Sequence, residues 1–174
     1  MKRIVLYTCT FLLATACREE FLDRTPQSAL TSTTFYRTEG QFRQALSGAY
    51  QAMREAISGR SSWVMSEMRS DNTHYDYNAG LRGNPENAEN VADFIDNPQN
   101  PFSNDKYYQC YTGIARTNTI LTRLEAAPLA PDVKAGIAGE ARFLRALYYF
   151  ELVQFYGEVP LYTKEIINAE ESYV

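Results

Sequence analysis

The sequence predicts an all-α fold, either a helical bundle or a helical-repeat domain. Three stretches of about 20 residues carry apolar side chains at helical spacing. Proline and glycine break the chain around them, at Pro128, Pro131, Gly157 and Pro160. The first stretch also opens with Thr38 and Gln41, the S/T-x-x-E/Q spacing of a capping box.

The first helix is expected over Thr38 to Ile57. Phe42, Ala45, Leu46, Ala49, Tyr50, Met53, Ala56 and Ile57 form one stripe along it. Gly40 and Gly48 lower its propensity, and Gly48 is read as a place where a neighbouring helix comes close. SSWVMSEMRSDN, residues 61–72, fits a short helix. From Thr73 to Ser103 the chain is rich in Asn, Pro and Gly and reads as a long loop, partly ordered by Tyr75, Tyr77, Phe94 and Phe102. The second helix is expected over Asn104 to Ala126, with Asn118 as a polar member of its apolar stripe, able to bond to another helix or loop. Asp132 reads as the N-cap of a third helix, Val133 to about Tyr156, which is apolar nearly all round and therefore expected to be buried on several sides. Gly157 and Pro160 end it, and VPLY follows as an extended segment. Glu140, Arg142, Arg145 and Glu151 interrupt its apolar surface and exclude a membrane span. The apolar excess of this helix, and an ending (KEIINAEESYV) without evident structure, predict a fold incomplete at its C-terminus.

The composition is that of an ordinary globular chain, 45% hydrophobic and 22% charged over 174 residues. With a net charge of −4 and no basic stripe, no nucleic-acid partner is expected. Aromatic residues reach 13%, led by 13 Tyr. Tyrosine suits helix packing, and its flat body and polar tip also suit wet interfaces and sugar stacking.

The first 16 residues have the three-part plan of a secretory signal: Lys2 and Arg3, an apolar run from Ile4 to Leu13, then Ala14-Thr15-Ala16. Cleavage by the general route would leave Cys17 an ordinary thiol. Small residues directly before Cys17 match a relaxed bacterial lipoprotein box better, in which the cysteine sulfur carries the lipid. One acyl chain anchors marginally and two or more anchor stably, at about 0.8 kcal/mol per buried methylene. Cys9 lies within the signal, so Cys17 and Cys110 are left without a disulfide framework. With His74 as the single histidine and no CxxC, no protein-built zinc site is expected, and no cofactor is called for. Residues 1–16 thus read as signal peptide, 17–34 as an extended tether and 35–174 as the helical domain.

Five blocks of this sequence resemble, in order, the N-terminal part of SusD/RagB-family outer-membrane lipoproteins. They are CREEFLDRTP after the lipobox, TFYRTEGQFRQALSGAYQAMR, SEMRSDN, YTGIARTNTIL and GEARFLRALYYFELVQFYGEVPLYTKEI. Glu19-Glu20 also resembles the signal that sends such lipoproteins to the cell surface. One departure is Tyr107-Tyr108 where members often carry Trp near the start of the second helix. The resemblance implies a tetratricopeptide-like helical domain, truncated here, facing the cell exterior and held to outer-membrane lipid through Cys17. It implies capture of an oligosaccharide and its delivery to a TonB-dependent, SusC-like transporter, with no catalysis. A peptide or glycopeptide ligand, and a helical scaffold that binds no ligand, remain as alternatives.

Sugar capture needs flat rings and fork-like polar groups. RSDNTHYDYNAGLR supplies both, and Asp71, Asn72, Tyr75, Tyr77, Asn78 and Arg82 are the candidate ligand contacts. For Arg69 to Asn72, helix capping and loop bracing is the stronger reading. Asn118, Glu140, Arg142 and Arg145 are read as structural bracing, since Glu140 and Arg145 miss the i,i+3/i+4 pairing and share a helix crowded with core residues. Neither a G-x-S-x-G nucleophile motif nor a phosphate-binding glycine loop is present. Metabolic palmitate label should enter the protein and be lost in Cys17→Ala; label retained in that variant would refute the anchor.

Overall fold

The computed structural model describes residues 35–74, 78–80, 84–168 and 170–172. Their regular structure is all helical: α1 (Glu39–Ser58), α2 (Arg60–Glu67), α3 (Asn84–Ala92), α4 (Pro101–Glu125), α5 (Pro131–Tyr156) and a 3₁₀ turn at Glu170–Ser172.

Thr38 caps α1 as a full capping box. Its hydroxyl accepts from the Gln41 N–H, and the Gln41 side chain accepts from the Thr38 N–H at 3.0 Å. The stripe then buries Phe42, Leu46, Ala49, Ala52 and Ala56, while Tyr50 and Ile57, at its edge, stay exposed. Gly59 separates α1 from α2, and a Cβ there would lie 2.3 Å from the Glu55 carbonyl oxygen. Only glycine lets the chain turn so tightly at this point.

Within the expected loop the structure places a helix, α3, which corrects the reading of residues 73–103. Nine residues with three small or branched apolar positions, Ala88, Val91 and Ala92, are enough because α2 and Phe102 cover them. Pro85 falls in the first turn, where proline is tolerated. The second long helix begins at Pro101 rather than Asn104. Asn100 is its N-cap, accepting from the Phe102 N–H at 3.0 Å and donating to the Asn87 carbonyl at 2.9 Å. The third begins at Pro131, with Ala130 rather than Asp132 at the cap. Asp132 lies in the first turn, where its charge still favours the helix dipole. At the far end Gly157 takes φ +71° and donates to the Val153 carbonyl.

α4 and α5 form an antiparallel hairpin, and α1 packs across both to make the main core. A smaller core joins α2, α3 and the start of α4 around Val64, Met65, Val91 and Phe102. Tyr148 is the centre of the main core. It is fully buried and donates its hydroxyl to the Ala49 carbonyl of α1 at 2.5 Å. Its ring fills the space over Gly113, where a Cβ would fall 2.2 Å from the ring carbons. The close approach therefore belongs to Gly113 and not to Gly48, which has nothing within 4 Å of a built Cβ. α5 buries Ile137, Ala141, Leu144, Tyr148 and Leu152 on its inner side only. Phe143 and Phe150, 63% and 58% exposed, form an apolar outer face, so burial on several sides is not what this structure shows.

After Gly157 the chain runs back beside the hairpin. Arg145 donates to the Thr163 carbonyl and to Asn118 Oδ1, each at 2.8 Å, and Asn118 Nδ2 donates to the Tyr162 carbonyl at 2.9 Å. Tyr111 donates to the Pro160 carbonyl, and the Tyr149 hydroxyl accepts from the Tyr162 N–H at 2.6 Å. Glu140 accepts from Tyr50 at 3.5 Å, and Arg142 is exposed.

Gly113→Ala should lower stability by about 1–3 kcal/mol, the usual cost of overpacking a filled core. Gly48→Ala should be neutral or slightly stabilising. Paired denaturant melts check both, and equal losses would contradict this placement.

Candidate functional site

α2 ends in SEMRSDN, and the turn that follows is tied down from both sides. Ser70 and Thr73 both donate to the Glu67 carbonyl. His74 Nε2 sits 2.8 Å from Asp93 Oδ1. Arg69 reaches 27 residues along the chain to Asp96, Nη2 to Oδ1 at 2.9 Å. The pair is 24% and 14% exposed, so it is sheltered enough to be worth more than a surface ion pair.

This pair lies on the wall of a cavity of about 400 Å³. Asn97 and Asn104 supply amides to it, and Phe155, Tyr107 and Tyr156 supply rings. Tyr107 and Tyr156 meet edge to face at 5.2 Å, and the Tyr156 hydroxyl donates to the Ser103 carbonyl at 2.6 Å. Burial is the main cause that pushes the Tyr156 hydroxyl up to about 12. Arg69 Nε is buried and has no hydrogen-bond partner. A buried donor left unmet costs about 1–3 kcal/mol.

Beside the cavity stands Phe94, its ring centroid 5.4 Å from the Arg69 guanidinium carbon and 67% exposed. Its backbone is left-handed, φ +59°. The cause is the end of α3, a Schellman motif in which Ile95 donates to the Asn90 carbonyl and Phe94 to the Val91 carbonyl. Glycine normally holds that position, and a bulky residue there costs on the order of 1 kcal/mol. A flat apolar face is thus held in solvent by a strained helix end and backed by a cation.

Of the residues expected from sequence, Asp71 and Asn72 lie exposed in the turn after α2. Asn78 is exposed and accepts from the Gly80 N–H at 2.9 Å. Cys17, Tyr75, Tyr77 and Arg82 lie outside the described residues. Sequence reasoning missed Asp96, Asn97, Asn104, Tyr156 and the exposure of Phe94. Nothing local marks the Arg69–Asp96 pair, and α3 is too polar in sequence to have marked Phe94 as the residue that follows a helix end.

Among the described residues there is no cluster of three or more His, Cys, Asp or Glu fit for a metal ion. No helix among them is long and apolar enough to cross a membrane. Cys110 is buried, and burial above all raises its thiol to about 11, so it is inert near neutrality.

A family model of SusD-like proteins, described as starch-binding and associating with the outer membrane, matches residues 20–173. The chain belongs to the SusD-like family. A SusD-like protein of Formosa agariphila is 25% identical over 98% of this chain and 33% of its own length. A second from the same organism is 30% identical over 94% and 32%. A SusD-like protein of Bacteroides ovatus is 22% identical over 91% and 28%. The chain therefore spans about a third of the length of these SusD-like relatives. No solved structure matches it significantly. The matched region takes in the whole cavity and its Phe94 neighbour.

Tyr156→Phe should remove an ionisation near pH 12 from the tyrosine difference titration. The sign follows from the raised value: an unfolded tyrosine ionises near its ordinary 10.0, so the folded form loses stability as pH rises from about 10 to about 12. That alkaline loss should shrink in Tyr156→Phe; an unchanged titration would refute the buried hydroxyl.

Proposed function

We propose that this SusD-like chain is part of a surface lipoprotein that captures a glycan at the outer membrane and passes it to a TonB-dependent, SusC-like transporter. The observation that carries the reading is the exposed, strained Phe94 beside the Arg69–Asp96 cavity. A sugar ring presents an apolar face to an aromatic, and its neighbouring hydroxyls pair with a guanidinium fork and a carboxylate. The family description, starch-binding and associating with the outer membrane, supports the same class of ligand. No acid–base pair or nucleophile is needed for capture, and the protein is proposed to bind without catalysis.

Asp71, Asn72 and Asn78 stand exposed near the start of the loop that leads toward Phe94, where they would extend the contact surface. Tyr75, Tyr77 and Arg82 remain proposed contacts from the same loop. Cys17 is proposed as the lipid anchor, residues 1–16 as the removed signal and 17–34 as the tether. For the apolar outer face of α5, Phe143 and Phe150, we propose cover by further helices of a longer protein.

Phe94→Gly separates ligand binding from stability. Glycine suits the left-handed position, so the variant should be as stable as the parent or more so by about 1 kcal/mol. Its tightest interaction on a glycan panel should weaken by about tenfold, the worth of one stacked ring. Undiminished binding in Phe94→Gly would remove Phe94 from the site. Likewise, unchanged binding in both Tyr75→Ala and Tyr77→Ala would remove those two.

A further inference from the structure

A second cavity, of about 430 Å³, lies at the opposite end of the hairpin. Lys134, Arg142 and Arg145 share one face of α5, at helical offsets 0, 8 and 11, and all three open on it. Leu121 and Leu124 of α4 and Thr163 of the returning chain complete the walls the argument needs.

The charges there are poorly answered from within. Lys134 donates to the Glu125 carbonyl at 3.0 Å, which is a neutral acceptor. Arg145 is half-buried and held by two more neutral acceptors, Asn118 Oδ1 and the Thr163 carbonyl. No carboxylate pairs with Arg142 among the described residues. Glu125 is the carboxylate lining this cavity, and it is exposed. Three cations thus face one acid in a chain whose net charge is −4. Burial chiefly disfavours the Arg145 cation, Tyr149 favours it, and the like charge of Arg142 adds to the cost. Apolar walls under clustered cations focus a positive potential, and an oxyanion relieves the repulsion while accepting bidentate bonds from guanidinium groups.

We propose that the cavity of Lys134, Arg142 and Arg145 is an oxyanion-binding site for a carboxylate or sulfate group. It differs in kind from the Arg69 cavity, where Asp96 already neutralises the single cation. The inference does not depend on glycan capture there.

The test is NMR titration of the full 174-residue chain at constant ionic strength, reading the arginine Nε–H signals. The probes are sodium sulfate, sodium glucuronate and glucose. Sulfate and glucuronate should shift the Arg142 and Arg145 signals saturably, and glucose should not. Tighter binding of glucuronate than sulfate would assign the oxyanion to a sugar, and equal binding to the free ion. Arg142→Gln should weaken both by about tenfold, as for loss of a charged hydrogen bond. Glu125→Gln should tighten both, because it removes the competing carboxylate. Both substitutions are on exposed residues, and thermal melts confirm that each variant folds. Shifts that fail to saturate, that ignore Arg142→Gln, or that glucose reproduces would overturn the proposal.

Discussion

The ammonium of Lys106 is the contact on which the arrangement of the other elements depends. It is 1% exposed, and its donors go to the Ala56 carbonyl of α1, Ser62 Oγ of α2 and Glu151 Oε2 of α5, at 2.9, 2.9 and 2.6 Å. The Phe155 ring lies 4.4 Å away. A buried ammonium has three donors to satisfy, and an unpaired buried charge costs several kcal/mol. Four helices must therefore arrive together, or the charge is stranded. Ala56 sits in the last turn of α1, where the carbonyls lack helical partners and a cation is favoured. The same contact fixes the turn from α1 into α2 at Gly59, and Ser61 reinforces it by donating to Asp105 at 2.6 Å. Because α2 leads directly to Arg69, the geometry of the Arg69 cavity is inherited from a core ion pair.

What was legible in the sequence follows from how local each cause is. The capping box, the α1 stripe and the glycine stop after α5 depend on residues within a few positions of one another, and periodicity reads them directly. α3 escaped because Asn and Pro dominate its surroundings and its apolar content is only a few small residues; its stability comes from Phe102 and α2. Proline misled twice, at Pro101 and Pro131, where it begins a helix instead of breaking one. Nothing near Lys106 in the sequence marks it as buried, since its partners lie 44 to 50 residues away. The aromatic count did register, but which tyrosines clasp the returning chain and which line a cavity is a matter of tertiary packing.

The candidate site combines rigidity and strain in different residues. Arg69 is held by Asp96, and the cavity rings are held by each other and by Ser103. Phe94 is held differently, by the hydrogen bonds of a Schellman motif that would be more stable with glycine. Two costs, an unmet Arg69 donor and a left-handed Phe94, fall within one guanidinium's reach of each other. Phe94 is on the surface, so packing does not impose its left-handed backbone, and we read its place beside the cavity as support for the proposed ligand contact.

The same bookkeeping applied to the whole hairpin separates its two ends. Near α2 two cations are matched by acids, Lys106 by Glu151 and Arg69 by Asp96, and Arg60 stands over the Phe102 ring. Where the returning chain crosses, Arg123 is matched by Glu165, with Nε to Oε2 at 3.0 Å. The face of α5 that carries Lys134, Arg142 and Arg145 gathers three cations around one acid. Arg145 cannot simply be dispensed with there, because it holds Asn118 and Thr163 and with them the path of the chain after Gly157. A cation fixed by a structural duty, with a second beside it that no carboxylate pairs, leaves a repulsion that an external anion would relieve. The charge at that end is therefore better explained by what enters the cavity than by what surrounds it.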